Sequence, residues 1–227
     1  MKRRAARQKS TPNSKDANRR QVMDEDYAFF LKKFGSAIEH QVVPNSSIER
    51  YKNKLPEQLL KYWEDFGWCG YAEGLFWTVN PQDYESLLNT WLAGTEAFKR
   101  DNYYVIARSA FGELYLWGEK SADSLSITSY MSRYSTNSSI FAGENLDFGI
   151  KVFFSSMQLE HNDLNSLFKP ALKSLGPLEA DEMYGFVPAL ALGGPVELKN
   201  LQKVKTIEHL TLLSQLSPLQ DWGFPDV

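Results

Sequence analysis

The chain has 227 residues, of which 43% are hydrophobic and 14% aromatic, and its formal net charge is −3. This length allows one large domain or two small ones with a substantial core. No apolar run reaches the roughly 18–20 residues of a membrane helix, and the basic N-terminus lacks the apolar stretch of a secretory signal. Cys69 is the single cysteine, which excludes an internal disulfide and a cysteine-based zinc site. We therefore expect a soluble, cytoplasmic protein that does not bind a membrane.

The charge is unevenly distributed along the chain. Eight of the 25 basic residues and one of the 28 acidic residues lie in residues 1–20, so residues 21–227 hold 17 basic and 27 acidic groups, a net charge of −10. A field of this sign repels nucleic acid and attracts a basic partner; acidity that serves only solubility is the alternative. Residues 1–22 have almost no large apolar side chains, and we expect them to form a disordered basic leader.

Residues 23–128 are predicted to form a first domain. Apolar spacings of three and four, together with helix-opening prolines, predict helices over 24–38, 48–51, 56–66 and 81–92. Apolar and β-branched runs predict strands over 75–79, 103–107, 114–117 and 125–128, of which the middle two form a hairpin and the last is an edge strand. The glycines from Gly67 to Gly74 indicate a turn.

Residues 129–146 are rich in Ser, Thr, Asn and Gly, and we expect a linker or mobile loop there. A second domain is predicted over 147–227, with a strand at 150–154, helical spacing over 163–175 and a last helix at 204–216. The Gly and Pro residues of 175–194 favour tightly packed turns. These elements predict an α+β protein of mixed helices and a small, mainly antiparallel sheet in two adjoining halves.

Catalytic and cofactor motifs are missing from the sequence. Neither a phosphate-binding glycine loop nor a dinucleotide fingerprint occurs, and His40, His161 and His209 lack ligand spacing. We therefore expect no catalytic residue, no cofactor, no metal site and no enzyme activity. Asp181 and Glu182 leave three alternatives open: an acid–base pair, acids stabilising a helix N-terminus, and an acidic patch that contacts a partner.

Acidic or aromatic residues at the predicted turns are candidates for contact with a partner, because buried aromatic anchors dominate many interfaces. The candidates are Trp68, Tyr71, Glu73, Glu113, Asp181, Glu182 and Tyr184. For the aromatic members, burial in the core is the alternative. Arg108 next to a strand end is expected to pair with Glu113 across the hairpin.

Two sets of motifs resemble a bacterial family of toxin-immunity proteins. The first lies between Pro44 and about Lys120 and is similar to the GAD-like domain. Its motifs are Leu55-Pro56, Tyr62-Trp63, Phe66-Gly67-Trp68, Gly74-Leu75-Phe76-Trp77, Asn80-Pro81 and Ala107-Arg108-Ser109-Ala110-Phe111-Gly112. The second lies between about Ile150 and Leu219 and is similar to the family's C-terminal domain. Its motifs are Leu175-Gly176-Pro177-Leu178, Asp181-Glu182-Met183-Tyr184-Gly185-Phe186-Val187-Pro188-Ala189-Leu190 and Gly193-Gly194.

The family supplies immunity against DNase effectors of the type VI secretion system. The resemblance thus implies a cytoplasmic immunity protein that occludes the active site of a cognate nuclease toxin, without catalytic residues of its own and without binding nucleic acid directly. The acidic body fits a basic nuclease domain as partner. Two alternatives remain: a non-catalytic adaptor for another protein, and an accessory domain of tRNA-dependent aminoacylation or amidation machinery.

Overall fold

A sheet of eight strands runs through the middle of the molecule. The computed structural model describes residues 24–141 and 143–223; the predicted basic leader, residues 1–22, lies outside them. The strands, in the order in which they neighbour one another, are β1 Ile38–Gln41, β2 Trp68–Tyr71, β3 Phe76–Thr78, β4 Tyr103–Ser109, β5 Glu113–Gly118, β6 Ser124–Thr128, β7 Arg133–Asn137 and β10 Gln220–Asp221. Each neighbouring pair is antiparallel except β7 and β10, which are parallel.

A separate antiparallel hairpin and nine α-helices complete the described part of the chain. The hairpin consists of β8 Glu182–Phe186 and β9 Leu201–Lys205. The helices are α1 Glu25–Phe34, α2 Asn45–Tyr51, α3 Glu57–Phe66, α4 Glu85–Trp91, α5 Glu96–Arg100, α6 Leu146–Ser156, α7 Leu159–Asn162, α8 Phe168–Leu175 and α9 Thr206–Leu216. None of the described helices combines the length and apolarity that a membrane crossing requires. The α+β class predicted from the sequence is confirmed.

Both faces of the central sheet are buried. Side chains alternate along each strand, so neighbouring residues point to opposite faces, and other elements cover each face. On β5, Tyr115 and Trp117 face one side, whereas Leu114 and Leu116 face the other. We call the first side the aromatic face; α1, α2, α3 and α6 cover it. The second side is the hairpin face, which α4, α8, α9 and the β8–β9 hairpin cover. Since α6 and α9 belong to the same C-terminal stretch, that stretch covers both faces.

Phenylalanine and tyrosine rings fill the aromatic face. Phe30 of α1 is completely buried, and its ring centroid lies 5.3 Å from that of Phe154 and 5.0 Å from that of Tyr71. The hydroxyl groups of Tyr27 and Tyr71 lie 2.8 Å apart in a hydrogen bond. Because buried hydroxyl groups need partners, this bond allows two tyrosines to belong to a core that is otherwise apolar.

Several local predictions differ from the structure. The predicted first helix extends to Ile38, but Gly35 ends α1 with φ of 77° and Ile38 begins β1. The strand predicted over 150–154 is wrong, since these residues lie within α6. This helix packs beside α1 and α3 against the sheet, so apolar residues cover more than one of its sides and resemble a buried strand in sequence.

The segment predicted as a linker contains an element of the sheet. Residues 133–137 form β7, which pairs with β6 over five residues from Ser124↔Asn137 to Thr128↔Arg133. Consequently β6 lies inside the sheet and is not the predicted edge strand. The sequence did not predict this strand because most of its side chains are polar. Only Tyr134 contributes a large buried side chain, and backbone pairing with β6 holds the strand in the sheet.

Candidate functional site

A buried arginine joins the central sheet to the hairpin that covers it. Arg108 of β4 is completely buried, and its Nη2 donates to the carbonyl oxygens of Ala180 and Glu182, both at 2.8 Å. Its guanidinium carbon lies 5.0 Å from the ring centroid of Trp77. Burial lowers the pKa of Arg108, and the nearby Tyr84 opposes this shift. Arg108 thus fixes the position of β8 through backbone carbonyls, and the predicted pairing with Glu113 is wrong.

A cleft of about 270 Å³ lies where the sheet, the 80–84 turn, the start of β8 and the start of α9 meet. Segments that are far apart in sequence therefore form its walls: residues 41, 68–69, 77–80 and 83–84 on one side, and residues 180–181 and 206–208 on the other. Its lining includes Trp68, Trp77, Asp83, Asp181, Thr206 and Glu208. We call this cavity the seam cleft.

Three carboxylates line the seam cleft. Burial raises the pKa of Asp83, and the side-chain amide of Asn80, which donates to it at 3.1 Å, partly offsets this shift. Asp181 pairs with Lys205 at 2.8 Å. Within the described residues, neither Asp83 nor Glu208 forms an ion pair. The cleft therefore presents two carboxylates without an ion pair, close to the buried guanidinium of Arg108, which lies against the cleft-lining Trp77.

Two further polar groups in the cleft walls lack partners. Thr206 is 2% exposed, and its Oγ1 has no hydrogen-bond partner in the described structure. The Nε1 of Trp68 is a buried donor that also has none. Buried polar groups without a partner cost about 1–3 kcal/mol each. Such groups are expected where a ligand or a partner completes the site.

The three aromatic candidates from the sequence lie in the core. Trp68 and Tyr71 belong to β2 and are 6% and 0% exposed, and Tyr184 of β8 is also fully buried. The hydroxyl of Tyr184 donates to the carbonyl of Gly176 at 2.7 Å. All three are therefore buried, which is the core alternative that the sequence left open for them, because the glycine-rich segment pairs as a strand and helices cover it. Whether they contact a partner stays a prediction.

Of the acidic candidates, the structure brings only Asp181 to the seam cleft. Glu73 is exposed and pairs with Lys169 at 2.8 Å. Glu182 pairs with Lys203 at 3.0 Å, and its pKa is lowered because hydrogen bonds and this lysine outweigh the opposing effect of burial.

The fourth acidic candidate, Glu113, lies at the start of β5. Burial raises the pKa of Glu113 to about 7, although the Thr128 hydroxyl, which donates to it at 3.1 Å, acts in the opposite direction. Whether these four acids contact a partner stays a prediction.

Sequence reasoning missed Asp83, Thr206 and Glu208. No local signal connects them, because 123 positions separate Asp83 from Thr206 in the numbering of the chain. The described residues contain no group of three or more His, Cys, Asp or Glu side chains able to hold a metal ion. The carboxylates of the seam cleft share a cavity without converging on one point.

Comparison with known proteins identifies two consecutive domains. Residues 25–131 match the family model of the GAD-like domain, and residues 147–217 match that of the C-terminal domain of the T6SS immunity protein Tdi1. No curated protein matches the chain. Three chains of solved structures match it. One is the crystal structure of Atu4351 from Agrobacterium tumefaciens, which is 25% identical, with a TM-score of 0.79 over 88% of this chain and 94% of that chain.

Proposed function

The chain belongs to the family of type VI secretion immunity proteins that have a GAD-like domain followed by a Tdi1-type C-terminal domain, and we propose that it binds a cognate effector toxin and occludes its active site. The observation that carries this proposal is the match of residues 147–217 to the immunity domain. The family assignment also favours a role in binding without catalysis.

We infer that the toxin is a DNase with a basic substrate groove. A nuclease must carry positive charge where it holds DNA phosphates. Residues 21–227 carry a net charge of −10, so they are attracted to such a groove and repelled by nucleic acid. Protection of the producing cell needs nearly complete occupancy of the toxin. Nanomolar affinity corresponds to about −12 kcal/mol, and an interface of standard size buries about 1,600 Å².

The seam cleft is the part of the surface that we assign to the partner. It combines two carboxylates without an ion pair, Asp83 and Glu208, with two buried polar groups that have no hydrogen-bond partner in the described structure. Arg108 holds the β8 wall, which stiffens the cleft before binding. A surface that is ordered in advance loses less conformational entropy when it binds.

We expect a nuclease effector to be encoded beside this gene, and co-expression with that effector tests the proposal. We expect the host cell to survive and its chromosomal DNA to stay intact, whereas the effector alone degrades the DNA. The purified effector domain should also lose DNase activity when this protein is added at equal concentration. Cell death when both folded proteins are present would contradict the proposal.

Salt dependence tests the electrostatic part separately. The association rate should fall steeply between about 50 mM and about 500 mM salt, because the screening length falls from about 10 Å at 0.1 M to about 3 Å at 1 M. Surface plasmon resonance with the immobilised effector domain measures this rate. An association rate that does not depend on salt would contradict electrostatic steering, but it would not contradict the immunity function.

A further inference from the structure

We propose that the seam cleft receives one arginine side chain of the bound partner. This inference rests on the proposed function in that the partner is the cognate effector. It adds the chemical group that the cleft recognises and the residues that recognise it. Asp83 and Glu208 accept from the guanidinium group, and the hydroxyl of Thr206 supplies a third acceptor.

The charge of the cleft calls for a cation. Asp181 already has Lys205 as a partner at 2.8 Å. Asp83 and Glu208 are exposed at the cleft and have no ion pair within the described residues, and partial burial of the Asp83 carboxyl raises its pKa. A desolvated carboxylate is stabilised most by a cation that also donates hydrogen bonds.

The arrangement of the acceptors favours a guanidinium group over a metal ion. The described residues contain no cluster of His, Cys, Asp or Glu fit for a metal. A guanidinium group, in contrast, carries five N–H donors around a plane and can bond acceptors on separate walls. A point charge such as a lysine ammonium group spans separate walls less well.

The size and walls of the cleft agree with one side chain. Its volume of about 270 Å³ falls below the roughly 300–1,000 Å³ of pockets for drug-sized ligands. Trp68 and Trp77 line it, and tryptophan is the aromatic residue that attracts cations most strongly; the ring of Trp77 already lies 5.0 Å from the guanidinium carbon of Arg108. The unpartnered Nε1 donor of Trp68 calls for an acceptor, which a backbone carbonyl of the same partner segment supplies.

Hydrogen bonds hold both walls before any partner arrives. On one wall, the Asn80 side chain accepts from the backbone N–H of Gln82 and donates to Asp83, at 3.2 and 3.1 Å. On the other, the backbone N–H of Thr206 donates to the carbonyl of Asp181 at 2.8 Å. The acceptors are therefore placed in advance, which lowers the entropic cost of capturing a flexible arginine.

A small-molecule titration tests the inference without the effector. The probe is N-acetyl-arginine methylamide, added to the ¹⁵N-labelled full chain while the indole N–H resonances are followed by NMR. We expect saturable shifts at the indoles of Trp68 and Trp77, and at least tenfold weaker binding in the variant Asp83→Asn/Glu208→Gln. The citrulline analogue has the same shape without the charge and should give no saturable shift. Absence of any saturable shift with the arginine probe would overturn the proposal.

The effector domain provides the second arm. Asp83→Asn/Glu208→Gln should raise Kd for the effector domain about 10- to 100-fold, mainly through faster dissociation. The matched control Glu25→Gln/Glu64→Gln removes two exposed carboxylates outside the cleft and should change Kd less than threefold. If the wild-type chain does not bind the effector, the proposed function fails. If wild type, cleft variant and control all bind alike, only the arginine site fails.

Discussion

The two faces of the central sheet are closed in different ways. On the aromatic face, rings pack against rings and the hydroxyls of Tyr27 and Tyr71 pair at 2.8 Å, although the Nε1 of Trp63 has no hydrogen-bond partner in the described structure. On the hairpin face, Arg108 links the sheet to β8. Beside this link, the seam cleft keeps Asp83 and Glu208 without an ion pair and the hydroxyl of Thr206 without a hydrogen-bond partner in the described structure. Both faces bury hydrophobic side chains that hold the fold together, and we propose that recognition is confined to the seam cleft.

The largest effect is expected on the aromatic face. Phe30→Ala should lower the free energy of unfolding by about 3–5 kcal/mol, because it opens a cavity among closely packed rings. Urea denaturation followed by tryptophan fluorescence measures the change. The neighbouring Phe29 is 51% exposed, so Phe29→Ala is a matched control with an expected loss below about 0.5 kcal/mol. If both variants lost the same free energy of unfolding, Phe30 would not have the central role in the aromatic face that its burial indicates.

Replacement of the arginine tests the hairpin face. Arg108→Met should cost about 3 kcal/mol, since it leaves the buried carbonyls of Ala180 and Glu182 without a donor. Unlike Phe30→Ala, it should also weaken binding of the effector domain, because the wall that carries Asp181 loses its support. Isothermal titration calorimetry on the folded variant measures this affinity, with the exposed Arg100→Met as control. Unchanged affinity would show that the cleft is positioned by other contacts.

The pH dependence of stability should report Glu113. Burial raises the pKa of Glu113 in the folded protein to about 7, above its ordinary value of 4.5, so folding favours the protonated form. The folded state then binds more protons than the unfolded state between these two values, and stability falls as pH rises through this window. We expect the group to cost about 1–3 kcal/mol between pH 5 and pH 8.

Glu113→Gln removes this titration. The variant should be more stable than wild type at pH 8 and about equally stable at pH 5, as measured by urea denaturation at both values. Glu64→Gln, which removes an exposed carboxylate on α3, should leave the wild-type slope unchanged. A slope in Glu113→Gln as steep as in wild type would assign the pH dependence to another group.

The smallest effect is expected from the tyrosine pair. Tyr27→Phe removes one buried hydrogen bond while keeping the ring, so the loss should be about 1 kcal/mol. In a protein of this size, that corresponds to a fall in Tm of about 2–4 °C. Differential scanning calorimetry measures it. Because the pair lies on the aromatic face, affinity for the effector should not change; a fall in affinity would show that the two faces are coupled.

The sequence predicted correctly those helices and strands whose ends are set by nearby prolines, glycines and apolar runs. Pro56 and Gly67 flank α3 closely, and the 103–107 and 114–117 runs became β4 and β5. The turn between them contains Gly112 with φ of 81°, a value that suits glycine. Each of these signals involves residues close together in the chain, so one sequence is enough to read them.

Tertiary contacts determined the elements that were missed. The glycine-rich segment after Gly67 indicated a turn, yet Gly70 lies in β2, where an added Cβ would stand 3.0 Å from both Ile38 and Trp77. Its small size thus serves close packing between strands. The sequence did not predict the seam cleft because its acceptor groups come from distant segments that only the folded chain brings together.

The position of α6 restricts how this family can exchange parts. This helix opens the C-terminal family segment at residue 147, yet its Ile150 and Phe154 are buried in the aromatic face beside α1 and α3. Recombination between relatives at residue 147 would therefore combine α6 of one relative with the aromatic core of another. A crossover placed after Met157, where α6 has ended, would leave that core intact and exchange the hairpin and α9. We therefore expect relatives to exchange toxin specificity through the segment that follows residue 157, without α6.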